Sequence, residues 1–216
     1  MPKLDKYKGI IFDLDGTLVN SMVAHAHAWE QTCQKFGIPY DKEWLDQLGG
    51  MPSRKVTQEI LKRYDLTLDA QQITSDKIAN FEAIEHKGDV IPETYALLQQ
   101  QYQLKKIGIG TGAQAKHARA ILKTTDIPSM IRTIVTSDDV ENHKPNPDTF
   151  LKVASQLELE PSDCVVFEDT IIGQHAATSA GMDCYMVENG QITKFVPANG
   201  LEAVSYTHLR AHETEE

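Results

Sequence analysis

The stretch "IIFDLDGTLV", residues 10–19, decides how the rest of the chain is read. "GIIFDL", residues 9–14, is a short apolar run rich in β-branched residues. It predicts a strand covered on both faces, as in a parallel sheet. Asp13 and Asp15 stand where this run stops, with a single residue between them, and Gly16 follows. Like charges that close repel, so a cation, a proton or solvent must offset them.

Beyond this strand the character of the sequence changes. "SMVAHAHAWEQTCQKFG" has helical spacing, and Gly37 followed by Pro39 is a stop signal. Further helices are expected over residues 41–48, 53–64 and 69–86, with no strand between them. Pro92 opens another helix that runs to Tyr102. "KKIGIGTG" then predicts a strand ending at Thr111 and Gly112. From there helix and strand alternate: helices over 114–123, 147–157 and 171–180, strands over 133–137, 164–169 and 183–187. Alternation of this kind predicts an α/β fold, a doubly wound parallel sheet with helices on both faces. The expected organisation is a core of residues 1–19 and 88–200, an all-helical insert over 20–87, and a tail over 201–216. The tail, "LEAVSYTHLRAHETEE", carries neither a helical nor a strand stripe and reads as non-native or disordered.

Composition bounds the function. The 216 residues are 41% hydrophobic and 24% charged, ordinary for a soluble globular protein. A formal net charge of -10 argues against a nucleic-acid or anionic-membrane partner, since both need a basic face. No apolar run approaches the roughly 18 residues that span a bilayer. "MPKLDKYKG" at the start is charged and leads straight into a strand, so no signal peptide is expected. Cys33, Cys164 and Cys184 are scattered without CxxC spacing and read as reduced thiols, consistent with a cytoplasmic protein, and Cys164 and Cys184 as core residues.

In a doubly wound sheet the parallel strands all end on one edge, and ligands bind there. The strand ends in this chain carry Asp13 and Asp15, Thr111 and Gly112, and Glu168 with Asp169. The loop after the third strand, "NHKPNPDTF", adds Lys144. Four carboxylates, an ammonium, a hydroxyl and an open backbone N–H would thus share one cleft. Hard oxygen ligands suit Mg²⁺, and a lysine and hydroxyl beside them suit a phosphoryl group in transfer. No Ser–His pairing is signalled, nor any histidine-based zinc set. Asp13 is then the candidate nucleophile, and Asp15 the acid that protonates the leaving alcohol and later activates water.

These residues resemble the four motifs of the haloacid dehalogenase-like hydrolases: "DLDGT", Thr111 after "GIG", the lysine in "HKPNPDTFL", and "FEDTIIGQHAATSAGM". The resemblance implies a Rossmann-like core, a Mg²⁺ cofactor, and the roles above for Asp13, Asp15, Thr111, Lys144 and Asp169, with Glu168 supporting the metal. A helical cap between the first two strands is similar to the β-phosphoglucomutase-like subfamily, and the wording of the motifs to its fructose-1-phosphate and 6-phosphogluconate phosphatase branch. Relatives often read "DGTLVDS" where this chain has Asn20. Dehalogenases of the family lack an acid at the position of Asp15, so its presence favours phosphoryl transfer. Arg54 resembles the cap arginine that grips a substrate phosphate in the mutase, and Lys77 matches a cap lysine more loosely. His25 and Trp29, one turn apart on the first insert helix, are balanced between substrate contact and packing. His117, His143 and His175 are expected to be solvent-facing or structural.

The resulting expectation is a Mg²⁺-dependent phosphatase, monomeric, acting on a small phosphorylated metabolite such as a sugar phosphate. A phosphosugar mutase and a non-catalytic metabolite-binding protein on the same fold remain the alternatives.

Overall fold

Gly9–Phe12 forms β1, buried along its whole length, in a computed structural model that describes residues 2–199 and the backbone of residues 204–205. β1 pairs in parallel with β2 (Lys106–Gly110) on one side and with β4 (Cys164–Glu168) on the other. β3 (Thr133–Val135) continues the parallel sheet beyond β2, and β5 (Asp183–Glu188) continues it beyond β4. The chain therefore builds outward from β1 in one direction, returns, and builds in the other. At such a switch point the loops after neighbouring strands diverge and open a crevice at their carboxyl ends. Asp13 and Asp15 follow one of the two strands that flank it, while Glu168 ends the other and Asp169 follows it.

α5 (Pro92–Gln101), α6 (Ala115–Leu122), α7 (Asp148–Gln156) and α8 (Ile171–Ser179) cover the sheet. Alternate residues of a strand point to opposite faces, so Ile10 and Phe12 join Leu98, Ile121 and Leu122 in one core cluster. Ile11 joins Phe150, Val153 and Ala177 in the other. The three cysteines are buried and free.

Between β1 and α5 lie α1 (Met22–Phe36), α2 (Lys42–Gln47), α3 (Ser53–Arg63) and α4 (Ala70–Ala83). Trp29, Cys33, Val56, Ile60 and Ile73 form a separate apolar cluster among them. Gly37 ends α1 in the left-handed conformation (φ 67°) that glycine adopts without strain. Asp41 and Asp69 accept from the first backbone N–H groups of α2 and α4. The two strands of chain that join this insert to the core run side by side. Asn20 N donates to Asp89 O at 2.8 Å, and Ile91 N donates to Leu18 O at 2.8 Å.

One part of the sheet departs from the sequence reading, which ended it at β5. β6 (Gln191–Val196) pairs antiparallel with β5, and β7 (Val204–Ser205) with β6. The β5–β6 turn has Asn189 and Gly190 at φ 52° and 77°, the positive values that an Asn-Gly hairpin turn requires. The tail expected over residues 201–216 lies outside the described residues, apart from the backbone of β7.

Asp183, at the start of β5, ties both ends of the described chain to the sheet. It accepts from Lys6 Nζ at 2.8 Å, Tyr7 Oη at 2.5 Å and Ala198 N at 2.9 Å. Burial pushes its carboxyl up, but these hydrogen bonds outweigh it and hold the group below its ordinary value of 3.8. A depressed carboxylate contributes stability above the unfolded-state value and loses it as pH falls through the folded-state value. Asp183→Asn should therefore cost about 1–2 kcal/mol near neutrality, a difference that closes below pH 3.8. Thermal melts of both proteins at neutral and acid pH check this, and an equal gap at both would contradict it.

Candidate active site

The end of β1 is held against β4 by one more rung of the ladder, since Asp13 N donates to Phe167 O at 2.9 Å. Thr111 N donates in the same way to Val135 O at 2.9 Å. These rungs place Asp13 beside Glu168, with Thr111 across β1 from them. Gly16 then turns the chain at φ 85°, and a Cβ there would overlap the Asp169 carboxylate.

The two aspartates face different partners. Asp13, Lys144 and Glu168 are all buried, at 3%, 1% and 0% exposure. Lys144 Nζ donates to Asp13 Oδ1 and to Glu168 Oε1, each at 2.7 Å. The other oxygen of Glu168 accepts from Thr170 N at 2.7 Å and Thr170 Oγ1 at 2.9 Å. Asp169 Oδ1 accepts from Thr17 Oγ1 at 3.3 Å. Burial pushes the Asp13 carboxyl up to about 7 against the pull of Lys144. Burial and the neighbouring Glu168 hold Asp169 well above the carboxylate range. For Lys144 burial acts downward, but the Asp13 and Glu168 carboxylates outweigh it and raise the ammonium. Oxygens of Asp13, Glu168 and Asp169 lie within 4.8 Å of one another. Three carboxyl groups against one ammonium cannot all ionise in a buried site without a further positive charge. That donor set of hard oxygens fits a small divalent cation.

Asp15 turns toward the insert instead. Its Oδ1 accepts from Ser21 Oγ at 2.5 Å and lies 3.1 Å from His25 Nε2, while Thr111 Oγ1 reaches Oδ2 at 3.4 Å. His25 Nδ1 lies 2.9 Å from Lys77 Nζ. An ammonium only donates, so Nδ1 accepts and the ring proton sits on Nε2, directed at Asp15. Phe81 stacks on the His25 ring, with centroids 4.2 Å apart. Lys77, 1% exposed, holds its Nζ over the rings of Trp29 and Phe81. Burial lowers Lys77 to about 8. Burial and Lys77 together hold His25 below its usual value. Burial raises Asp15, but hydrogen bonds from His25 and Ser21 overturn this and keep the carboxyl low.

Of the residues picked from the sequence, Asp13, Asp15, His25, Lys77, Thr111 and Gly112 line one cavity between sheet edge and insert. Lys144 and Glu168 lie behind Asp13. A Cβ on Gly112 would overlap the Gly50 carbonyl oxygen, so the insert's Gly49–Gly50 turn rests on the core at that point. Arg54 is not brought into the cavity: it is exposed on α3, while its neighbour Ser53 lines the wall. His27 and His175 are exposed, and His143 Nε2 lies 3.0 Å from Ser137 O.

Two residues in the site had no part in the sequence reading of it. Ser21 stands one helical turn before His25, a spacing that marks a shared face. His117 was expected to be solvent-facing or structural; it is 3% exposed and lines the same cavity as Asp15. Only the packing of α4 against α6 puts it there, through Phe81 and Glu82.

A family model described as haloacid dehalogenase-like hydrolase matches residues 10–187. The chain belongs to that family. This hydrolase is 30% identical over 179 residues to the fructose-1-phosphate phosphatase YqaB of Escherichia coli K12, covering 83% of this chain and 95% of the relative. It is 30% identical over 193 residues to the beta-phosphoglucomutase of Bacillus subtilis 168, covering 85% and 84% of the two chains. The crystal structure of beta-phosphoglucomutase from Clostridium difficile superposes with a TM-score of 0.75 at 26% identity, covering 85% of each chain. The β-phosphoglucomutase-like subfamily that the motifs implied is thus the one the hydrolase resembles in sequence and in fold. No helix among the described residues is long and apolar enough to cross a membrane.

Proposed function

We propose that this hydrolase is a Mg²⁺-dependent phosphatase that releases phosphate from a small phosphorylated metabolite, a sugar monophosphate, through an aspartyl-phosphate on Asp13. It would act as a cytoplasmic monomer. The observation that carries the reading is the opposed setting of the two aspartates. Asp13 is locked to Lys144 in the acidic cluster, whereas Asp15 is held by Ser21, His25 and Thr111 on the insert side. This asymmetry supports a nucleophile's role for Asp13 and a proton-handling role for Asp15.

In the first half-reaction an Asp13 oxygen forms a bond to phosphorus as the bond from phosphorus to the ester oxygen breaks. Asp15, held ionised in the free site, takes up a proton from solvent as the substrate binds and delivers it to that departing oxygen, so a neutral alcohol leaves. In the second, Asp15 takes a proton from a water that attacks phosphorus, and the Asp13–phosphorus bond breaks to free phosphate. Lys144 fixes the Asp13 carboxylate, and the Thr111 hydroxyl and Gly112 N–H are placed for the phosphoryl oxygens. Mg²⁺ held by Asp13, Glu168, Asp169 and the Asp15 carbonyl would supply positive charge against the phosphoryl group. Arg54 takes no part in these steps. The insert over the cleft limits the access of bulk water.

The same residues serve a mutase up to the point where the phosphoryl group is returned to sugar, and the resemblance to beta-phosphoglucomutase keeps that reading in view. A panel of sugar monophosphates assayed with Mg²⁺ separates them. Free phosphate that disappears on chelation and returns on adding Mg²⁺ is the expected result. An isomeric sugar phosphate without free phosphate would make the protein a mutase. No turnover of any ester would leave a metabolite-binding protein.

A further inference from the structure

The insert-facing wall of the cavity is apolar, with Trp29, Leu48, Met51 and Val56. His117, on α6 of the core, lines the same cavity, and it is neither part of the acidic cluster nor a hydrogen-bond partner of Asp15. A buried imidazole with no assigned work deserves an account, because a polar group removed from water without a partner costs free energy.

The ring is fixed from two sides. Phe81 of the insert packs against it at 5.4 Å between centroids, the same Phe81 that stacks on His25. Nε2 is sealed from solvent, makes no hydrogen bond, and lies 3.7 Å from Glu82 Oε1, itself sealed. Lys116 Nζ pairs with Glu82 at 2.7 Å and anchors that carboxylate between insert and core. Among the described residues Nδ1 also has no hydrogen bond, yet it is not sealed. Burial first, then the charge on Lys77, pushes the ring down to about 4, so it is neutral at physiological pH. A neutral imidazole has one donor and one acceptor. A carboxylate beside Nε2 selects the tautomer with its proton on that atom, which leaves Nδ1 as an acceptor open to the cavity.

We propose that His117 is a specificity-determining residue: its Nδ1 accepts a hydrogen bond from a hydroxyl on the leaving alcohol, with Glu82 of the insert orienting the ring. The inference rests on the phosphatase reading and sharpens it. The substrate is a phosphate monoester whose alcohol carries at least one further neutral hydroxyl, set against an apolar wall. A site built around a hydroxyl loses substrates that lack one, because the imidazole is then left unpaired.

The test uses the full chain with Mg²⁺, its best sugar monophosphate from the panel, and p-nitrophenyl phosphate, whose leaving group has no second hydroxyl. For His117→Leu the ratio of kcat/KM on the sugar phosphate to that on p-nitrophenyl phosphate should fall roughly tenfold or more, the worth of one buried hydrogen bond. His117→Gln, which restores an acceptor, should recover part of the ratio. Glu82→Gln should lower it by less, through KM. An unchanged ratio overturns the proposal: with equal losses on both esters His117 only supports the fold, and with no loss on either it touches no substrate. If the wild-type protein frees phosphate from neither ester, the phosphatase reading fails first and this inference falls with it.

Discussion

Asp13→Asn is expected to abolish turnover, with a loss in kcat of at least about a thousandfold. The amide has the shape of the carboxylate but no anionic oxygen to form the bond to phosphorus. Its effect on the fold should be small, and the reason lies in the charge. Burial already works against ionised Asp13, whose carboxyl is pushed up to about 7. A neutral amide avoids that cost, and its carbonyl oxygen can still accept from Lys144, which keeps Glu168 as its charged partner at 2.7 Å. The thermal midpoint of Asp13→Asn should therefore stay within roughly 5 °C of the wild type, the shift of about 1–2 kcal/mol in a chain of this size. Phosphate release and a thermal melt on the same preparation check both halves. A variant that kept a tenth of the Mg²⁺-dependent rate would sink the covalent mechanism, because an amide cannot do the work assigned to Asp13.

The difference between what the sequence disclosed and what it hid follows from the range of the interactions involved. Asp13, Thr111, Lys144 and Glu168 were legible because each sits at or just after a strand whose place in a parallel sheet is dictated by local pattern. Topology alone then gathers them. Lys77 was half legible. It stands four residues from both Ile73 and Phe81, so the stripe that buries those two buries it as well. Arg54 shows the limit. The motif put it near the Gly49–Gly50 turn, but α3 buries Val56, Thr57 and Ile60, and a residue two places before Val56 lies on the far side of the helix. The apolar stripe of Val56 and Ile60 sets which face of α3 packs inward, and motif wording carries no such orientation. His117 is the same case in reverse. β6 is different again: the Asn-Gly dipeptide at Asn189 favours a hairpin turn, but the half-exposed strand after it lacks the apolar run that marks the buried strands.

Lys144 is where stability and chemistry meet, and Lys144→Met tests that directly. Methionine keeps the length and apolar stem of lysine, so the Phe150 ring that lies 4.6 Å from Nζ still has a side chain against it. What is lost is the only ammonium among the described residues hydrogen-bonded to Asp13 and Glu168, both essentially sealed from water. Removing one partner from a buried ion pair leaves the other charge uncompensated, at a cost of about 3–5 kcal/mol. For this chain length that is a fall in thermal midpoint of roughly 10 °C. Packing cannot account for such a loss in a near-isosteric variant, so the size of the shift separates electrostatics from cavity formation. A second measurement sharpens the point. With Lys144 present, the cluster of Asp13, Glu168 and Asp169 holds three carboxylates against one positive charge; without it, three against none. A cation that binds the folded protein stabilises it by mass action, and more so where the negative excess is larger. Added Mg²⁺ should therefore raise the midpoint of Lys144→Met by more than it raises that of the wild type, while phosphate release stays lost because Asp13 is no longer held for attack. Equal Mg²⁺ shifts in the two proteins would mean that the divalent cation does not bind against these carboxylates. A midpoint unchanged by the substitution would mean that Asp13 and Glu168 do not need Lys144 to remain buried.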